Sequence, residues 1–115
     1  MGWFSNNDDG FFLSTTTPSD IASSQYLGIV NGEAIIGANI FRDMFSSVRD
    51  IVGGRAGGYE RALSGARDAA LKDMIETAKE RGATGVIGID FDYEVLGETN
   101  GMMMVAVSGT AVKMV

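Results

Sequence analysis

"ATGVIGIDFDYEVLG", Ala83 to Gly97, alternates apolar and polar side chains along most of its length. A period of two is the mark of a strand with unlike faces. Ile87, Ile89, Phe91, Tyr93 and Val95 point one way. Val86, Gly88, Asp90, Asp92, Glu94 and Leu96 point the other. An apolar row therefore backs onto a stripe of three acids. The next segment, "GETNG" (Gly97 to Gly101), has the composition of a turn. It leads into "MMMVAVSGTAVKMV" (102–115), which is apolar on both faces and reads as a strand buried on both sides.

Working towards the N-terminus, Tyr59 to Arg81 predicts a helix closed by Gly82. Its apolar stripe runs Tyr59, Leu63, Ala66, Ala70, Met74, Ala78, flanked by the small residues Ala62, Gly65 and Ala69. Gly65 costs a helix roughly 1 kcal/mol against alanine, so the sequence predicts tight packing there, either within the chain or between subunits. Asn39 opens an earlier amphipathic helix, with Ile40, Phe41, Met44, Phe45, Val48, Ile51 and Val52 on one arc and Gly53-Gly54 as its end. Two strands precede it, Phe12–Thr17 and Tyr26–Gly37. "NG" at 31–32 marks either a hairpin or a bulge within the second. Residues 1–11 read as a leader and 12–115 as one domain, in the order β-β-α-α-β-β. This is an α+β fold: one mainly antiparallel sheet with two helices on one face. The last strand would then leave Met102 or Met104 uncovered on the other face. A second copy of the chain is the simplest cover, which predicts a homo-oligomer.

Composition narrows the chemistry. The chain has 115 residues, no cysteine and no histidine. Disulfides, cysteine nucleophiles and histidine acid–base catalysis are excluded, and any metal site must use oxygen ligands suited to a hard divalent cation. Soft ions favour thiolate or imidazole. The seven methionines are better read as packing residues. A net charge of −6 argues against nucleic acid. No long apolar run suggests a membrane span, so a cytoplasmic protein is expected. Eight of the nine bases fall within residues 40–82, and both flanks are acidic.

Three stretches are candidate sites. Asp90, Asp92 and Glu94 could face a cation, but alternate strand residues lie about 6.5–7 Å apart. Glu33, Glu98 or a second subunit would have to complete such a site. Pairing with Arg42, Arg49 or Arg55, or simple solvation, is the structural alternative. "GGRAGG", with Gly53, Gly54, Arg55, Gly57 and Gly58, could hold an anion at a helix start, although it lacks the GK[ST] of a P-loop. As a C-cap and turn it needs no ligand. "STTTP" (Ser14 to Pro18) is either a hydroxyl-lined pocket wall or a threonine-rich edge strand.

"GEAIIGANIFRD" (32–43), "IVGGRAGGYE" (51–60), "GVIGIDFDYE" (85–94) and "MMVAVSGTAV" (103–112) together resemble the YbjQ-like family, in order and spacing, over about residues 12–113. The family consists of small bacterial and archaeal proteins of unassigned function labelled as heavy-metal-binding domains. The resemblance implies a compact α+β subunit that assembles into a ring, a homopentamer, and it implies metal binding. It supplies no catalytic residues. Three functions follow as expectations. The first is a non-enzymatic ring that binds a metal or small ligand between subunits. The second is an enzyme acting on a small anionic compound through Arg55 and a carboxylate, Glu60 or Asp92. The third is a protein-interaction scaffold.

Overall fold

In a computed structural model of the chain, residues 10–19, 24–37, 54–96 and 101–114 are described, with helix side chains from Glu60 onward. The elements are β1 (Phe12–Leu13), β2 (Ser24–Ile36), α1 (Gly54–Glu80), β3 (Gly85–Leu96) and β4 (Met102–Met114). They form one four-stranded sheet in the order β1-β3-β4-β2. β4 pairs antiparallel with both β2 and β3, and β1 runs parallel to β3. The sheet is thus mixed and mainly antiparallel, as expected, and α1 packs on one face of it. The helix predicted at 40–52 lies outside the described residues.

β4 lies between β3 and β2, hydrogen-bonded along both edges, and α1 covers one of its two apolar faces. Met103, Val105, Val107 and Ala111 are buried on its inner face, under α1. Their partners on β2 are Ile36, Ala34, Gly32 and Gly28. From the helix come Ala66, Ala70, Leu71, Met74 and Ala78, all buried. Leu71 is absent from the predicted stripe, yet it is among the largest fully buried side chains. A leucine buried in this way contributes roughly 1.5–3 kcal/mol.

Gly32 explains the "NG" dipeptide. β2 runs straight through 31–32 with neither turn nor bulge. A Cβ on Gly32 would collide with the Ala70 carbonyl oxygen and stand 2.7 Å from the Met74 nitrogen. Helix and strand approach backbone to backbone here, and only glycine leaves room. Gly65, by contrast, has nothing within 4 Å of an added Cβ among the described residues.

A β-bulge corrects the reading of β3. Ile87 pairs with Thr110 and Asp90 with Ser108, so three steps on β3 match two on β4. Gly88 takes φ 63°, a left-handed conformation that suits glycine and admits the extra residue. The alternation slips by one there. Val86 lies on the inner face, paired with Ala111, and Ile87 shares the outer face with the acids. β1 is shorter than predicted. Phe12 donates its N–H to Thr84 O at 3.1 Å and Ser14 to Val86 O at 3.0 Å, and pairing ends as Ser14 O accepts from Ile89 N. From there Ser14 turns locally, its Oγ accepting from Thr16 N at 3.0 Å.

α1 begins at Gly54, not Tyr59. "GRAGG" therefore forms the opening turns of the helix rather than a loop before it. The far end follows prediction. Gly82, at φ 83°, donates to Lys79 O, and Ala83 donates to Ala78 O at 3.0 Å. This pair of bonds is the Schellman cap, and the buried Ala78 and Ala83 form its apolar contact.

Candidate functional site

Strand register places the four candidate acids on one surface. On the outer face, Glu94 pairs with Met104, Asp92 with Ala106 and Asp90 with Ser108. On the other side of β4 the same residues pair with Ile35, Glu33 and Asn31. Glu33 and Asp92 thus share a row with Ala106 between them, about 10 Å apart at two strand spacings. All four acids are exposed. They share a face but do not converge: among the described residues no three His, Cys, Asp or Glu side chains gather closely enough to hold one ion. A cation on this face needs further ligands from outside the chain. Glu98 lies outside the described residues.

Apolar side chains border the acids. Ile29 is 73% exposed, Tyr26 63%, Ile35 51% and Met102 38%. Met104 and Ala106 lie half-buried between them. At the other end of this face the Phe12 ring lies where a Gly85 Cβ would be, beside the buried Val112. The outer face is thus apolar along the β2 edge and at the start of β4, with carboxylates along β3.

The glycine-rich candidate is altered by the helix start. Gly54, Arg55, Gly57 and Gly58 lie within α1, whereas Gly53 lies outside the described residues. α1 packs on the inner face and Asp92 stands on the outer one. The sheet thus separates α1 from Asp92, whereas Glu60, the other carboxylate named for that role, lies on α1 itself.

Two polar clusters are not apparent from sequence. β2 is an edge strand, so alternate backbone groups along it have no strand partner, and Leu27 O and Ile29 O lie near its register shift between Tyr26 and Gly28. Arg81 Nη1 donates to both, to Ile29 O at 2.9 Å and Leu27 O at 3.2 Å. Nearby on the same edge, Glu33 N donates to Asp73 Oδ2 at 3.3 Å. α1 in this way satisfies part of an edge that would otherwise be open to another strand.

The second cluster lies on the β3 side of α1. Arg67 Nη1 donates to Tyr93 Oη at 3.4 Å. Its neighbour Asp68 is only half-buried as a residue, yet its Oδ1 is sealed from solvent and meets no protein donor. Burial raises its pKa, and the adjacent Arg67 charge opposes the rise. A helical turn further on, Leu71 helps to line a pocket of about 90 Å³ with Leu13, Ser14, Thr15, Ile89 and Phe91. A repeat of three or four residues from Leu71 reaches Asp68, but the predicted stripe omits Leu71 and so leaves this side of the helix as solvent-facing.

No helix among the described residues is long and apolar enough to cross a membrane. A profile of the family described as "Putative heavy-metal-binding" matches residues 12–115. A UPF0145 protein of Bacillus cereus is 60% identical over 104 residues, covering 88% of this chain and 99% of the relative. A UPF0145 protein of Bacillus thuringiensis subsp. konkukian is 59% identical with the same coverage. A crystal structure of a DUF74-family protein of unknown function from Pediococcus pentosaceus superposes with a TM-score of 0.66 at 15% identity. That match covers 92% of this chain and 99% of the other, and it supports the α+β fold alone. The four quoted motifs, the profile match and the Bacillus relatives lead to one conclusion: the chain belongs to the YbjQ family, the UPF0145 proteins.

Proposed function

We propose that the protein is a non-enzymatic subunit of a homo-oligomeric ring that binds a metal ion or small ligand where copies meet. The observation that carries this reading is the outer sheet face. It combines exposed Ile29, Ile35 and Met102 with four carboxylates that need ligands from elsewhere. Exposed side chains of this kind on one sheet face are a usual sign of an interaction surface. The described bases Arg61, Lys72 and Lys79 are exposed on α1, on the opposite side of the subunit. The exposed acids Glu60, Asp73, Glu76 and Glu80 share that side, so charge alone does not select a head-to-tail contact, although repetition of one closes a ring when the rotation allows. Five subunits is the number the family resemblance implies.

The ion in this proposal is hard and divalent, since the available ligands are oxygens. The heavy-metal label of the family is harder to reconcile with a chain that has no thiol and no imidazole. Native mass spectrometry of protein purified without added metal would read subunit number and retained ions together. Calorimetric titration of chelator-treated protein with calcium, magnesium, manganese, zinc and copper would test the ion directly. A single-copy species at micromolar concentration removes the ring, and absence of heat with every ion removes the metal.

In the enzyme reading Asp92, exposed on the face opposite α1, is the weaker choice of base, and Glu60, on α1 with Arg55, is the stronger. The scaffold reading requires the same assembled surface and would be separated by an ion titration without heat on an intact ring.

A further inference from the structure

The two margins of the sheet are covered differently. Along β2, α1 reaches over: Arg81 donates to Leu27 O and Ile29 O, and Asp73 accepts from Glu33 N. Along β3, β1 covers only the start, pairing Phe12 with Gly85 and Leu13 with Val86. Ile89 N to Ser14 O is the last bond across this margin among the described residues. Backbone groups alternate in direction along a strand. Phe91, Tyr93 and Val95 therefore turn their N–H and C=O outward, as Ile89 does. Asp90, Asp92 and Glu94 turn theirs towards Ser108, Ala106 and Met104 of β4. No described strand pairs with β3 beyond Ile89 on its outer margin. Such a margin is a template for one more strand.

The side chains indicate which strand fits. Beyond the bulge, Phe91, Tyr93 and Val95 lie on the inner face, and Asp90, Asp92 and Glu94 on the outer. Tyr93 is 46% exposed and Val95 57%, so the inner row is apolar and open among the described residues. An added strand sets its own side chains beside these rows, where opposite charges stabilise and like charges destabilise. A second copy's β3, paired antiparallel, would bring acids against acids. A second copy's β2 offers an edge already bonded in part to its own α1. The favoured occupant is thus a segment of another protein, with bases beside the acids and aliphatic residues beside Phe91, Tyr93 and Val95. Where β1 leaves the sheet, Leu13, Leu71, Ile89 and Phe91 line an apolar recess of about 90 Å³. Benzene occupies a cavity of about 150 Å³, so this recess suits a side chain the size of valine.

We propose that the free margin of β3 takes up an extended peptide as a fifth strand, one in which Lys or Arg alternates with small aliphatic residues. Main-chain hydrogen bonds to Phe91, Tyr93 and Val95 hold it, and the alternate side chains select it. The ring is not a premise here, since exposed Ile29 and Ile35 lie on β2 at the opposite margin. The test is a titration of the full-length, ¹⁵N-labelled protein, in metal-free buffer, with an acetylated seven-residue peptide of alternating Lys and Val. A peptide of the same composition with its lysines and valines in two blocks, and one with Glu in place of Lys, serve as comparisons. At saturation the amides of Phe91, Tyr93 and Val95 should exchange with solvent at least tenfold more slowly. Both comparison peptides should bind at least tenfold more weakly. Val95→Pro removes an outward N–H that the ladder to β4 does not use, a place where an edge strand tolerates proline. Asp92→Lys reverses an exposed charge. Each should weaken the alternating peptide at least tenfold while β4 amides keep their protection. Equal midpoints for the alternating and block peptides, unchanged exchange at the three amides, or unchanged midpoints in both variants would overturn the proposal. So would slow exchange at those amides before any peptide is added, which would mean that the chain or another copy already occupies the margin.

Discussion

Two glycines on facing elements separate a constrained position from an unconstrained one. Gly32 touches helix backbone, so the atoms that a new methyl would meet cannot swing aside. Gly32→Ala should cost about 3 kcal/mol, at the upper end of overpacking penalties, and urea denaturation monitored by circular dichroism would measure it. Gly65 meets nothing within 4 Å among the described residues. Gly65→Ala should instead stabilise the folded subunit by up to about 1 kcal/mol through helix propensity. If the same change weakens assembly, Gly65 is meeting a neighbouring copy. Asp68 behaves differently again. Its folded pKa lies above the unfolded value because burial disfavours the anion. The folded state then holds the proton more tightly than the unfolded chain, so this residue favours folding at low pH and the benefit is lost as pH rises through the folded pKa. Asp68→Asn should accordingly raise Tm at pH 7, and its advantage should shrink as pH falls towards 4. Melting curves across that range would show the gap closing, and a constant gap would contradict this account.

At the scale of elements, α1 and β2 are held together by more than apolar packing. Arg81 satisfies two carbonyls of the β2 edge, Leu27 O and Ile29 O. Charged hydrogen bonds are worth about 1.5–3 kcal/mol when protected. Arg81 is solvent-exposed, which reduces this. Arg81→Ala should cost about 1 kcal/mol and speed amide exchange in the Leu27–Ile29 segment of β2, with exchange in β4 little changed. This contact also indicates what the sequence leaves illegible. β2, β3, β4 and the helix end at Gly82 follow from periodicity and cap chemistry, which act between near neighbours. Register does not. The bulge at Gly88 moves Val86 inward and Ile87 outward, and a lone glycine in an alternating run does not reveal its φ. The early start of α1 is hidden for a related reason: "GRAGG" has turn-like glycines, and propensity gives way to the longer helix they begin. Asp90, Asp92 and Glu94 were legible as one stripe because all three lie beyond the bulge, in a regular run. Asp68 was not, since the burial of its Oδ1 is a property of the packed chain that helical periodicity alone does not give.

For the whole molecule, the outer face decides whether one copy is sufficient. Ile29 and Ile35 lie in rows with Thr110 and Met104, flanking the carboxylates on the β2 side. Ile29→Lys leaves the inner core untouched and places a charge where the proposed contact is apolar. It should leave the melting of the isolated subunit within about 0.5 kcal/mol, as surface changes usually do, while shifting native mass spectra from the assembled species to single copies. Unchanged assembly in both Ile29→Lys and Ile35→Lys would place the contact elsewhere.

The parallel pairing of β1 has a further consequence, for biosynthesis. Phe12 is paired with Gly85, 73 positions later in the chain. At about 5–20 residues per second, a nascent chain that has made Phe12 waits roughly 4–15 s before its partner exists. The aromatic ring destined for the bare surface of Gly85 is meanwhile exposed at the ribosome, so the earliest strand translated is among the last to find its place.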